Sequence, residues 1–408
     1  MSSIQAVATS SERNRSLSFS AALVCIVLVA IDLRPGIVSI GPLLPQIREE
    51  FSISNTQAAL LTAIPNFLMG LLALATPGLA RRYGRDRVIL MSLAVLSVAT
   101  AARAFVESTG LLLVTTAGVG VGIAIAGALI AGFIKAKFPK HVALLMGIYA
   151  MSIGLGSTIA AAATGMIAAS GSGWRWGSGV WALPGLMAIA AWLVVARSER
   201  QSDPANGLYP AEKRYPLPIN SRTAWLVAFY FASNNILFFG LLSWIAPIYR
   251  GYGMSKTTAG LILASFTAAF MVANPLPGLV SRSEDRRITM GVFASITLLG
   301  IVAVAVAPHF MPFVIVPIIA CGIGGSFTLG MTLPLDNAST PDGANAWNAF
   351  VMTVGYFLGA AGPLAVGALR DFTGGFEAPM WALAVVALLM LGITPFLKPR
   401  NCWANKRE

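Results

Sequence analysis

The segment IREEFSISNTQAAL, residues 47–60, returns as IYRGYGMSKTTAGL at residues 248–261, an offset of 201. Further on, PGLARRYGRDR (77–87) matches PGLVSRSEDRR (277–287) at an offset of 200. The polar positions Ser54/Ser255, Thr56/Thr257, Arg82/Arg282 and Arg87/Arg287 coincide. Shared apolar composition alone does not align polar residues in this way. Glycines follow the same rule, since GVGVG (118–122) corresponds to CGIGG (321–325) and Gly154 to Gly355. The chain is therefore expected to fold as two copies of one unit.

Composition says what the unit is. Of 408 residues, 56% are hydrophobic and 11% charged, with a mean hydropathy of +0.75. A soluble domain carries about 25% charged residues, so a soluble enzyme and a disordered chain are excluded. A bilayer core takes about 20 apolar residues per helix. Twelve stretches meet that need: 20–44, 58–79, 88–106, 111–134, 144–169, 179–197, 222–247, 258–280, 288–307, 311–334, 345–369 and 379–397. The polar, Pro-rich segment SERQSDPANGLYPAEKRYPLPINS (198–221) divides them into six and six. The expected fold is an all-α membrane protein with residues 1–197 and 222–408 as six-helix bundles and 198–221 as a cytoplasmic linker. Six spans separate the repeated segments, so both copies cross the membrane in the same sense. The repeat is parallel, with its pseudo-axis along the membrane normal.

Charge orients the chain. Lys and Arg number 28 against 16 Asp and Glu, a net +12. With both termini cytoplasmic, 21 of the 28 fall on the inner side, from Arg13 and Arg15 through Arg81, Arg82, Arg85 and Arg87 to Lys406 and Arg407. Five fall outside: Arg48, Arg175, Arg250, Lys256 and Arg370. That bias is the positive-inside signal of a membrane protein, not a nucleic-acid footprint. The expected partners are the bilayer and a small-molecule solute, for a monomer without nucleic acid.

Cys25, Cys321 and Cys402 are widely separated and read as reduced and structural. His141 and His309 cannot build a His-rich metal site. The first apolar run is too long for a cleavable signal peptide. No paired buried carboxylates, no Ser/His/Asp set and no phosphate-cradling Gly-Lys-Ser/Thr loop occurs, so no enzyme, cofactor, metal or ATP-driven pump is expected.

Two cations, Arg34 and Arg103, fall inside apolar spans. A charge there costs at least ~2.5–3.5 kcal/mol on insertion scales, so it faces a cavity or has a partner. Both stand roughly 21–23 Å from the inner face at 1.5 Å per residue. A guanidinium fork grips planar oxygens or nitrogens in a bidentate manner. A solute held between the two arginines is one reading, and a structural ion pair is the other. Asp32 precedes Arg34 by two residues, roughly 200° around the helix. It is read as a proton carrier or as an arginine's partner, with Arg103 the first choice. Pro35-Gly36 marks a kink or break. Asn66, Tyr149, Asn234, Trp347 and Tyr356 are the further candidates for substrate contact at similar depth, and Trp244 is assigned to the interfacial aromatic belt.

The loop PGLARRYGRDRVIL (77–90) resembles the Gly-x-Leu-Ala-Asp-Arg-x-Gly-Arg-Arg loop of the major facilitator superfamily. It matches at Leu79, Ala80, Arg82, Gly84, Arg85 and Arg87 and departs at Pro77 and Arg81. Arg82, Gly84, Arg85, Asp86 and Arg87 are the expected conformational loop, with Asp86 in place of the missing aspartate. IDLRPGIVSIGPLLPQIREEF (31–51) and ALLTAIPNFLMGLLAL (59–74), with Arg103, resemble the cyanate permease and nitroimidazole transporter branch. The resemblance implies a secondary transporter of the bacterial inner membrane working by alternating access. Its solute would be small, planar and anionic or dipolar, with proton coupling as an option. Efflux of neutral drug-like compounds is the alternative. The resemblance also implies that spans 1, 4, 7 and 10 line the cavity and spans 2, 5, 8 and 11 gate it.

Overall fold

The computed structural model describes residues 19–138, 141–202, 217–277, 285–337 and 341–398, all helix or connecting turn. Its twelve helices long and apolar enough to cross a membrane are spans 1 to 12: Phe19–Phe51, Asn55–Ala73, Arg85–Phe105, Thr109–Ile134, Leu144–Ser170, Gly173–Ser198, Arg222–Gly251, Lys256–Ala273, Arg287–Val306, Pro312–Pro334, Ala346–Thr373 and Glu377–Phe396. The count and order match the apolar runs. Span 1 exceeds its expected end at 44 because Pro45 sits inside a helix running to Phe51. Within the proposed linker 198–221, the helix of span 6 continues to Ser202. Residues 203–216, together with Lys140, Arg282 and Cys402, lie outside the described residues.

The first described residue and the last lie at the same end of the bundle, the terminal end. The turns before spans 2 and 8 are at the opposite, far end. There the repeated serines find their reason. Ser54 Oγ accepts from the Gln57 N–H at 3.1 Å, and Ser255 Oγ from the Thr258 N–H at 3.0 Å. Each satisfies an orphan donor at a helix start. Many apolar side chains face outward, among them Val98 at 68%, Leu299 at 68% and Leu389 at 60% exposure. A surface this apolar fits lipid rather than water.

The two six-helix bundles meet along spans 2 and 11 and along spans 5 and 8, while spans 1 and 7 pack together toward the far end. Gly70 brings span 2 against the backbone of Thr353 and Phe357. Ser243 Oγ donates to Thr62 Oγ1 at 2.9 Å. Spans 4 and 10 instead pack within their own bundles. Close glycine–carbonyl contacts recur in both halves. Gly156 of span 5 lies on the Ile31 carbonyl of span 1, and Gly362 of span 11 on the Ile236 carbonyl of span 7. Gly165 lies on the Lys256 carbonyl and Gly367 on that of Asn55.

Candidate functional site

Span 1 is broken where the sequence carries Arg34-Pro35. Its first helix ends at Asp32, and short helices follow over Pro35–Val38 and Ile40–Phe51. Proline supplies no N–H, so the carbonyl of Ile31 four residues earlier loses its helical donor. Arg34 holds φ −118° and ψ −28°, a right-handed helical ψ that a following proline disfavours. Glycine at 156 lets span 5 come directly against that freed Ile31 carbonyl.

The break aims Arg34 across the boundary between the bundles. Its guanidinium carbon is 5.7 Å from the centre of the Phe239 ring of span 7. It interacts with the hydroxyls of Tyr149 in span 5 and Tyr356 in span 11. Tyr356 also packs edge-on to Phe231, with centroids 6.1 Å apart. Nη1 of Arg34 is buried and has no hydrogen-bond partner. A buried cationic donor without an acceptor carries a desolvation penalty that a bound acceptor would offset. Three of the candidates, Arg34, Tyr149 and Tyr356, are thus brought together from both bundles.

Asn66 lies on the seam beside them. It is one turn from Thr62, which meets span 7, and one turn from Gly70, which meets span 11. It is fully buried, and neither of its amide atoms has a partner.

The other candidates are elsewhere. Arg103, 0% exposed, donates through Nη1 to the Gly36 carbonyl and through Nη2 to Thr116 Oγ1 at 3.2 Å. It is engaged inside the first bundle, behind the break, so the Asp32–Arg103 pair is not formed. Asp32 faces spans 3 and 6 instead, where Ser97 and its own Oδ1 flank Gly185. Its Oδ2 is buried without a partner. Asn234 shares a helix face with Tyr230, which packs on Gly330 of span 10. It is five residues from Phe239, hence about 140° round span 7 from the Arg34 contact. Trp347 precedes Tyr356 by nine residues, about 14 Å along the axis and half a turn away. Trp244 is not in an interfacial belt. It is 1% exposed and donates to the Pro363 carbonyl at 3.0 Å, between spans 7 and 11.

In the loop after span 2, Gly84 takes φ +85°, which favours glycine. Arg85 pairs with Asp86 at 3.0 Å and stacks on Phe133 of span 4 at 4.8 Å. Arg82 stacks on Tyr83, its own neighbour, at 5.3 Å. In the second bundle Arg286 makes the corresponding link, to Asp336 beyond span 10, at 3.1 Å. The sequence gives no signal for Phe239, which reads as ordinary core but is the ring that Arg34 meets.

The described fold and site meet a matching family. Residues 19–360 match the Major Facilitator Superfamily. The chain belongs to the major facilitator superfamily. It is 29% identical over 371 residues to the cyanate transport protein CynX of Escherichia coli (strain K12), covering 90% of this chain and 95% of that protein. It is also 29% identical over 374 residues to the 2-nitroimidazole transporter of the same organism, covering 90% and 92%. Two solved structures share the fold. One is a bacterial homologue of the human lysosomal transporter Spinster in an inward-facing, unoccupied conformation (TM-score 0.75, 19% identity, 93% and 96% coverage). The other is a D-xylose–proton symporter (TM-score 0.73, 14% identity, 92% and 97% coverage). This chain is thus a multi-pass membrane transporter of a small molecule, not an enzyme.

Proposed function

We propose that this transporter moves a small planar solute, anionic like cyanate or dipolar like a nitroaromatic heterocycle, across a bacterial inner membrane by alternating access. The observation that carries the reading is Arg34. Its Nη1 is a buried donor without an acceptor, held at a helix break among Tyr149, Phe239 and Tyr356. A guanidinium fork would receive a cyanate end or a nitro group, and the Phe239 and Tyr356 rings would border a flat solute. Asn66 on the adjoining seam would add an amide contact. The names of the relatives, one for cyanate and one for 2-nitroimidazole, agree with this chemistry.

Residues 1–197 and 222–408 would act as the two rocking units, with 198–221 as their cytoplasmic link. The positive-charge bias makes the terminal end cytoplasmic. The far end, held by spans 1 and 7, would be the closed outer gate, and the separated spans 4 and 10 would border the inner mouth. Anion uptake against the membrane potential costs ~2.3 kcal/mol per charge per 100 mV, so it would need a coupled cation. Asp32 is the fitting proton carrier. It is buried, unpaired and two residues from Arg34, on the same broken helix. Outward movement of a neutral flat compound is the second reading, favoured by the aromatic side chains around Arg34.

Purified protein in liposomes tests the reading. Saturable flux of cyanate or 2-nitroimidazole that responds to an imposed pH gradient is expected. No flux of either, nor of nitrate or short carboxylates, would reject it.

A further inference from the structure

A second cluster of cations lies about 20 Å further along span 1 from Arg34. At the far end, Arg48 and Asn55 of the first bundle face Trp244, Arg250, Arg370 and Phe376 of the second around a cavity of about 210 Å³. Three guanidiniums sharing one cavity repel one another unless something neutralises them. No ion pair joins any of the three among the described residues. The nearby carboxylate of Asp371 attracts Arg48 through its charge, but its oxygens are taken by other donors. Oδ1 accepts from the N–H and side-chain amide of Asn55, and Oδ2 from the N–H and hydroxyl of Thr56, at 2.7–2.8 Å.

The donors of the cluster are unequally used. Arg250 gives Nη1 to the Met254 carbonyl at 2.7 Å. The guanidinium carbon of Arg370 lies over Phe376, 4.7 Å from the ring centre. Nε of Arg48 and Nε of Arg370 are both buried and have no hydrogen-bond partner. One of these donors comes from each bundle.

We infer that this cavity is a second, peripheral binding site for a small oxyanion with two or more oxygens, gripped between Arg48 of one bundle and Arg370 and Arg250 of the other. The carboxylate, nitrate and sulfate groups share this chemistry. The site exists only while the far end is closed, because both bundles build it. A ligand that binds one conformation alone shifts the population toward it. An oxyanion here therefore holds the far end shut and leaves the central site open to the other side. The inference is independent of which solute Arg34 binds.

Equilibrium binding of radiolabelled sulfate to the purified full chain tests it, with Arg34→Gln as the separating variant. Saturable binding that nitrate competes away is expected in the wild type and in Arg34→Gln. Arg48→Gln and Arg370→Gln are expected to weaken it about tenfold, as loss of a charge-assisted hydrogen bond does. Where a Gln variant fails to elute as a single species, the Lys variant replaces it, with a smaller loss expected from the missing fork. No saturable binding to well-folded wild type would overturn the inference. So would unchanged affinity in the Arg48 and Arg370 variants, or binding that vanishes in Arg34→Gln.

Discussion

Arg103 of span 3 donates to the carbonyl of Gly36 in span 1, two residues past the side chain that faces the other bundle. Its second arm holds Thr116 of span 4. One fully buried guanidinium thus ties the short helix after the break to two neighbouring spans. Gly36 packs closely there, since a Cβ would be 3.0 Å from Val119 Cγ1. The two buried arginines divide the work, Arg103 fixing the break from behind and Arg34 projecting from it in front.

Removing that tie should cost stability rather than affinity. Arg103→Gln leaves a buried carbonyl short of a charged donor, a loss of about 1.5–3 kcal/mol. The expected outcome is a lower thermal unfolding temperature in detergent. Solute Kd in the surviving folded protein should change less than in Arg34 variants.

Gly156 is expected to tolerate no side chain. An added Cβ would overlap the Ile31 carbonyl that Pro35 leaves without its helical donor. Gly156→Ala must push span 5 away from span 1, at about 1–3 kcal/mol for overpacking. Transport in liposomes should fall about fivefold or more if the cost is borne mainly by one transport state. Gly362→Ala, on the Ile236 carbonyl, should behave in the same way. A normal rate in both variants would remove the close approach from the mechanism.

Asp371 latches the far end by capping span 2 from the other bundle. Asp371→Asn keeps the shape but can no longer accept from all four donors as a charged group. Charge-assisted bonds of this kind are worth about 1.5–3 kcal/mol each. Labelling of Leu44→Cys by an impermeant maleimide, in a background without native cysteines, should therefore accelerate about tenfold or more. An unchanged labelling rate would mean the latch does not hold the gate.

For coupling, Asp32→Asn is expected to abolish accumulation driven by a pH gradient. Exchange of labelled for unlabelled solute should persist, because Asp32 faces Ser97 and Gly185 and not the Phe239 ring that Arg34 meets. Gradient-driven uptake at the wild-type level would exclude Asp32 as the carrier.

The spans and their pairing were legible because the bilayer demands long apolar runs and the repeat preserves its helix caps, Ser54 and Ser255. The break was legible because Pro35 cannot extend a helix hydrogen-bond ladder. Arg34, Tyr149 and Tyr356 stood out as polar groups in apolar surroundings. What each faces was not legible. A backbone carbonyl such as that of Gly36 leaves no trace in a residue pattern, so Arg103 was read with Asp32 as its first-choice partner. Where Asp32 points was not legible either, because the helix ends at that residue and helical spacing does not carry across the break. Phe239 carries no polar mark, and Asp371 meets Asn55 from 316 residues away.

The most direct measurement is equilibrium binding of the transported solute to Arg34→Lys and Arg34→Ala, each checked for an unchanged unfolding temperature. Lysine keeps the charge and loses the fork. The expected result is affinity weakened about tenfold or more in Arg34→Lys and no measurable binding in Arg34→Ala, both folded. Wild-type affinity in a folded Arg34→Ala protein would contradict the assignment of Arg34 as the solute's anchor.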